Sequence, residues 1–271
     1  MDRAADLLRL VSAKRAAGEP FALATVVRTV AATAAKAGAK AVILPDGTIS
    51  EGWIGGGCAR AAVLKAAREA IADGQSRLVS VQPPDALQEE GVAAGEERAG
   101  VHFAKNMCPS QGTMDIFVEP VLPLPQLIVC GSSPVAVAIA ELGRRIGFAL
   151  TVCAPAAEQG SFPEAERRIE GYALAVDDAA ARYVVVATQG RGDEAALKAA
   201  LAIEARYVAF VGSRKKAEAL KAKLADTVAP QRLAALKAPA GLDLGAITPD
   251  EIALSILAEI VRVRRRGQLR T

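Results

Sequence analysis

Gln126-Leu127-Ile128-Val129-Cys130-Gly131-Ser132-Ser133-Pro134-Val135-Ala136 reads as a buried strand, a tight glycine turn and the opening of a helix. Four apolar residues end at a glycine, which lets the backbone turn sharply and approach a neighbour closely. The same alternation continues downstream. Val135–Ile146 is expected as a helix, with Gly143 and Gly147 near its end, and Ala149–Cys153 as a second strand. Tyr183–Ala187 and Tyr207–Val211 are two further apolar strands, with a helix over Glu194–Glu204 between them. Thr248 with Glu251 makes a capping box and Pro249 suits a first turn, so a last helix should run from Thr248 to about Arg266. Short apolar strands alternating with helices predict a parallel, doubly wound sheet.

Upstream the pattern differs and predicts an N-terminal mixed α/β domain. Met1-Asp2-Arg3-Ala4-Ala5-Asp6-Leu7-Leu8 starts an amphipathic helix through Val11, followed by strands at Phe21–Thr29 and Ala39–Leu44. After the turn Pro45-Asp46-Gly47 comes a glycine–cysteine loop with a helix to about Asp73, then a strand at Arg77–Val81. Pro83 to Gly100 is polar and rich in Glu, and reads as a surface loop. Strands follow at Val101–Ala104 and Met114–Val118. Pro120, Pro123 and Pro125 predict a stiff connector, so the domains divide as 1–123 and 124–271. The fold class is α/β, a mixed domain followed by a Rossmann-like one.

Composition narrows the function. With 33 basic and 30 acidic residues the net charge is only +3, which gives no concentrated basic face for nucleic acid. Ser132, Ser133 and Glu141 interrupt the best apolar run, so no membrane span is expected, and the start lacks a signal-peptide core. Cys58, Cys108, Cys130 and Cys153 are widely spaced, which fits free thiols and a cytoplasmic location. His102 is the only histidine, so zinc patterns that need two histidines are excluded. It lies in a strand-like run and is read as structural or partly exposed.

At the turn after Cys130 the dinucleotide fingerprint is degraded: Gly131 remains, but Ser133 and Ala136 replace the second and third glycines. The second strand ends Cys153-Ala154-Pro155, with no carboxylate for a ribose hydroxyl. The architecture is therefore expected without tight NAD binding, while Gly131 and Ser132 remain candidates for holding a phosphate at the helix start. Arg214-Lys215-Lys216, after Gly212-Ser213, either form an anion site with Arg214 or are solvated helix charges.

Gly52-Trp53-Ile54-Gly55-Gly56-Gly57-Cys58-Ala59-Arg60 carries the clearest chemical signal. Gly55, Gly56 and Gly57 hand directly onto Cys58 at a helix start, where unpaired N–H groups favour an anion and a thiolate. This reads as a cradle for an anionic ligand with Cys58 at its rim; a tight turn with an inert cysteine is the bland alternative. Trp53 walls a pocket or simply packs on the glycines. Cys108 is either a second thiol of the site or a turn residue beside Pro109. Cys130 and Cys153, within apolar strands, are core residues. Arg262, Arg264, Arg265 and Arg266 suit a helix C-terminus and need no ligand.

Taken in order, these segments resemble the XdhC/CoxI family of maturation factors for molybdenum hydroxylases. The resemblance covers most of the chain. It rests on Thr25-Val26-Val27-Arg28-Thr29, Gly38-Ala39-Lys40, Ile54-Gly55-Gly56-Gly57-Cys58 and the Cys108–Gly112 segment leading into Phe117-Val118-Glu119-Pro120. It continues in Gly212-Ser213-Arg214-Lys215-Lys216, Pro239-Ala240-Gly241-Leu242-Asp243-Leu244-Gly245-Ala246 and Thr248 through Ile260. It implies an accessory chaperone that transiently binds molybdenum cofactor (molybdopterin), supports its sulfuration and delivers it to an apo molybdenum hydroxylase of the xanthine or carbon monoxide dehydrogenase type. Cys58 would be the molybdenum ligand or sulfur relay, with Gly55, Gly56, Gly57, Cys108 and Lys40 around the cofactor. A cysteine desulfurase as sulfur donor and a homodimer are the further partners it brings into view.

The chain also departs from the family. Ala31-Ala32-Thr33-Ala34-Ala35-Lys36 stands where a Gly-Ser-[Ser/Thr]-Pro-Arg segment is usual, leaving Lys36 as the nearest cation. Arg60 replaces an acid, Pro109-Ser110-Gln111-Gly112 replaces a glycine pair, and Thr188-Gln189-Gly190 replaces a Thr-His-Asp-like segment. These changes point to a divergent subfamily. Two other classes stand beside the chaperone: a nucleotide-dependent oxidoreductase on the second domain, and a scaffold that binds only proteins.

Overall fold

The opening amphipathic segment forms α1 (Arg3–Ala16), longer than expected, which lays Leu7 against Phe21 and Val42. The structure is a computed structural model describing residues 3–109, 111–174 and 181–265; Met1, Asp2, Ser110 and Arg266 of the segments above lie outside the described residues. The chain divides into two units, Met1–Pro123 and Leu124–Thr271.

In the first unit the strands are β1 (Phe21–Val30), β2 (Lys40–Ile43) and β3 (Ile49–Gly52), followed by helix α2 (Gly57–Asp73) and strand β4 (Arg77–Gln82). Then come α3 (Pro84–Glu89), β5 (Glu97–Arg98), β6 (Val101–Lys105) and β7 (Thr113–Val121). They form one mixed sheet in the order β3-β2-β1-β7-β4-β6-β5. Alternation in β1 sends Ala22, Ala24 and Val26 to one face, where Val63, Ala66, Ala67 and Ala70 of α2 pack on them. Small side chains on both surfaces let the helix sit close to the sheet. The opposite face is covered at one end by α1.

Three details differ from the sequence reading. The Pro83–Gly100 segment is not all loop: α3 and β5 form within it, and Leu87 and Val92 cover Phe103 of β6. Ile49–Gly52 pairs as a short edge strand, where Gly52 (φ 91°) is required because a Cβ would lie 2.1 Å from Lys40 O. Pro120 belongs to β7 rather than to the connector. The β4 ladder ends at Arg77–Val118, so on that side the missing N–H of Pro120 costs no hydrogen bond.

The second unit contains β8 (Gln126–Cys130), α4 (Pro134–Arg145), β9 (Ala149–Ala154), β10 (Arg167–Glu170) and β11 (Arg182–Val186). After them come α5 (Asp193–Ala202), β12 (Tyr207–Phe210), α6 (Arg214–Leu224), α7 (Pro230–Ala235) and α8 (Pro249–Arg264). Among the described residues its five strands are all parallel, in the order β10-β9-β8-β11-β12. This is the doubly wound Rossmann-like order, reversing between β8 and β11. Leu127 and Val129 face a core shared with α4 and α8, while Ile128 and Cys130 face one shared with α5 and α6. The expected capping box at Thr248 is present, with Thr248 N–H donating to Glu251 Oε2 at 2.9 Å. β10 and α7 were not anticipated, since Arg167–Glu170 alternates charged and partly buried residues.

Candidate functional site

The glycine–cysteine loop ends β3 and starts α2. Trp53 N–H donates to Lys40 O at 2.9 Å, closing the β2–β3 ladder before the chain turns. Gly55 (φ 105°) and Gly57 (φ 52°) adopt left-handed conformations that side chains rarely accept, with Gly56 between them as N-cap. Gly56 has no side chain to cap the helix, and no acid stands in the first turn of α2. By contrast α4, α6 and α8 are capped by Ser133, Ser213 and Thr248. The first-turn N–H groups of α2 are thus left for an outside acceptor.

The second cysteine comes to the same place. Met107 N–H donates to Cys58 Sγ at 3.4 Å, and a Cβ placed on Gly57 would lie 3.9 Å from Cys108 Sγ. Asn106 shapes this loop: its Nδ2 donates to Gly112 O at 2.6 Å and its Oδ1 accepts from Cys108 N–H at 3.0 Å. A Cβ on Gly112 would lie 2.2 Å from Ala32 O, so only glycine allows the Ala31–Lys36 segment to cross here. Trp53 and Met107 are exposed beside the two half-buried thiols, with the Trp53 ring over Gly56. The arrangement offers two thiols, free helix N–H groups and an apolar rim. Among the described residues no cluster of three or more His, Cys, Asp or Glu side chains is placed to hold a metal.

Lys40 does not join the cradle. Ala41 and Ile43 face α2, so Lys40 points to the other face of the sheet, where its Nζ donates to Thr25 Oγ1 at 2.9 Å. Arg28 is on that face too, since the β1 bulge between Val26 and Arg28 sets it opposite Asp115. Its Nε donates to Asp115 Oδ2 at 2.5 Å, and Ser80 Oγ donates to Asp115 Oδ1 at 2.7 Å.

Gly131, Ser132 and Arg214 belong to the second unit, whereas the cysteine cradle belongs to the first. Gly131 (φ 110°) lets β8 pass beside β11, since a Cβ would lie 2.6 Å from Ala187 O. Ser133 accepts from Ala136 N–H at 3.2 Å and serves as the N-cap of α4. Ser132 Oγ donates to Glu158, whose other oxygen accepts from Arg191 Nη1 at 3.1 Å. Glu158 thus brings a carboxylate from the 3-10 turn Ala156–Ser161 after β9 to the start of α4, where both its oxygens are already engaged. Nearby, Asp193 accepts from Thr188, from Gly190 N–H at 3.0 Å and from Lys216 at 2.5 Å. Burial alone would raise the Asp193 carboxyl, but Lys216, Thr188 and Gly190 hold it below the usual carboxylate range. Arg214 is exposed at the start of α6, with no ion-pair partner among the described residues.

Cys130 and Cys153 are fully buried and face each other across β8 and β9. Contact with the Cys153 thiol and complete burial push the Cys130 thiol well up, as expected of core residues. The sequence reading missed Asn106 and Glu158. The first had a local signal, an Asn two residues ahead of a turn amide; the second depends on a contact across the sheet crevice.

The XdhC and CoxI family matches residues 14–82, and the XdhC Rossmann domain matches residues 127–260. Uncharacterized protein YqeB of Escherichia coli K12 is 29% identical over 92% of this chain and 44% of its own length. A probable xanthine dehydrogenase subunit of Bacillus subtilis 168 is 29% identical over 57% of this chain and 47% of its own. The chain thus spans less than half the length of these relatives. A crystal structure described as a xanthine dehydrogenase of Bacillus halodurans is similar at 19% identity and TM-score 0.47, covering 95% of both chains. The chain belongs to the XdhC and CoxI family, with the XdhC Rossmann domain as its second unit.

Proposed function

We propose that this protein is an accessory chaperone for a molybdenum hydroxylase, which binds molybdenum cofactor, supports its sulfuration and inserts it into the apo-enzyme. Family membership and a relative named as a probable xanthine dehydrogenase subunit support the maturation role. The observation that carries the cofactor reading is the convergence of Cys58 and Cys108 at the uncapped start of α2.

The residues fit the group. Soft thiols suit molybdenum, and two of them suit a metal that brings its own dithiolene sulfurs. Gly56 and Gly57 keep side chains away from the first-turn N–H groups, which can then donate to an anionic oxygen or sulfur. Trp53 and Met107 give the thiols an exposed apolar rim. When bound, the cofactor supplies the molybdenum centre that the client needs; Cys58 holds it, and Asn106 fixes the loop that brings Cys108 alongside.

The test is to co-express the protein with molybdopterin biosynthesis and measure pterin and molybdenum per purified chain. Stoichiometric pterin in the unaltered protein, falling at least roughly tenfold in Cys58→Ala, is expected. Protein free of pterin under conditions that load a known client would sink the reading. The oxidoreductase alternative is disfavoured because β9 ends at Ala154 without an acid, and Glu158 in the turn that follows is held by Ser132 and Arg191. We accordingly propose that the second unit does not bind NAD tightly.

A further inference from the structure

Helix α8 buries one face and leaves an apolar strip on the other. Ala253, Ile256, Leu257 and Ile260 pack into the core that α8 shares with α4. On the outer side Leu254 is 57% and Val261 37% exposed, with half-buried Ala258 between them. Ile247, just ahead of the helix, is 86% exposed. Scattered apolar side chains are ordinary on a surface, but a continuous strip of them marks a contact site. Glu251, Leu254, Ala258, Val261 and Arg265 follow one another at three, four, three and four residues, the spacing of a coiled-coil seam.

Two opposite charges flank this strip at its ends. Asp250, in the first turn, is exposed and makes no ion pair among the described residues. Arg264, in the last turn, is half-buried, with its guanidinium carbon 5.1 Å from the centre of the Phe148 ring. It too pairs with no carboxylate among the described residues. The two side chains lie on the same flank of α8, nearly four turns and roughly 21 Å apart, so a single chain cannot join them.

We propose that this face of α8 is a self-association surface, on which a second copy of the chain docks with its own α8 antiparallel. A two-fold axis level with Ile256 makes the contact isologous. It sets each Leu254 against the partner's Ala258, large against small, which suits the 8–10 Å approach of packed helices. Glu251 turns its carboxylate back to the Ile247 and Thr248 N–H groups, so its stem faces the partner's Val261. The same reversal brings each Asp250 to the partner's Arg264. A second copy therefore matches the seam and both flanking charges at once, whereas any other protein would need a helix with the same spacing and the reversed charges. The surface lies wholly in the second unit and does not depend on what the cysteine cradle binds.

The test is sedimentation velocity on the full chain from about 1 to about 200 μM. A single helix pair is at the small end of specific interfaces, so a reversible dimer in the micromolar range is expected. Leu254→Asp should weaken it at least roughly tenfold, and an exposed position should leave the fold intact by circular dichroism. Asp250→Lys and Arg264→Glu should each weaken it by about tenfold, and the double variant should return to within about threefold of the unaltered protein. That charge exchange carries the test on its own if Leu254→Asp disturbs folding. Protein that stays monomeric to about 200 μM overturns the proposal. A dimer that survives Leu254→Asp also overturns it, since its contact must lie on another face. A double variant no tighter than the single ones rules out the antiparallel pairing and overturns it too.

Discussion

Cys58 and Cys108 reach one place because a helix start and a β6–β7 loop meet at the same end of the sheet, with Asn106 fixing the loop. The other two cysteines are enclosed between strands and helices of a different core. Alkylation followed by mass spectrometry should therefore modify Cys58 and Cys108 in the folded protein, with Cys130 and Cys153 reacting only on unfolding. Early labelling of Cys130 would contradict the buried placement. At the same scale, Asp193 is a buried carboxylate with three donors. Its folded-state titration is depressed, so its contribution is present above the ordinary carboxylate range and is lost as pH falls through the folded value. Asp193→Asn should cost about 1–3 kcal/mol at neutral pH. The gap should narrow in thermal melts below about pH 4. A gap that stays constant into acid would remove the electrostatic explanation.

At the scale of elements, short continuous apolar runs were legible: β8, β9, β11 and β12 stand where those runs put them, as do β1 and the box-capped α8. What escaped was set by distant partners. β5 pairs only because β6 lies beside it, and α3 forms where Pro83 and Pro84 suggested a loop but also provide a helix start. The glycine–cysteine cradle was legible as a motif, and Cys108 stood as one of two readings there; the acid at Glu158 was not legible, since it depends on a long-range contact. Lys40 showed the reverse failure: the resemblance placed it around the cofactor, and the two-residue period of β2 turned its side chain away. Gly131 makes the element-scale argument testable. Gly131→Ala forces a Cβ into the Ala187 carbonyl at a positive φ and should destabilise the second unit by several kcal/mol. Gly147→Ala, also at positive φ but in open space, should cost only about 1 kcal/mol. Equal losses in chemical denaturation would mean that the β8–β11 approach is not tight.

For the whole molecule, the two units divide the chemistry. The first holds the exposed-rim thiols; the second has the doubly wound sheet, with Glu158 and Asp193 paired to its own Arg191 and Lys216. Calorimetric titration with NAD and NADP should give little heat, and saturable binding in the low micromolar range would revive the oxidoreductase. Among the described residues no helix is long and apolar enough to cross a membrane. The central claim concerns what passes to a client. The direct measurement is molybdenum and pterin content per molecule of a partner molybdenum hydroxylase, purified from cells carrying the normal gene, Cys58→Ala or no copy. The account predicts full cofactor with the normal gene and a deficit in the other two, with client protein, iron–sulfur clusters and flavin unchanged. Equal, fully sulfurated cofactor in all three would contradict it.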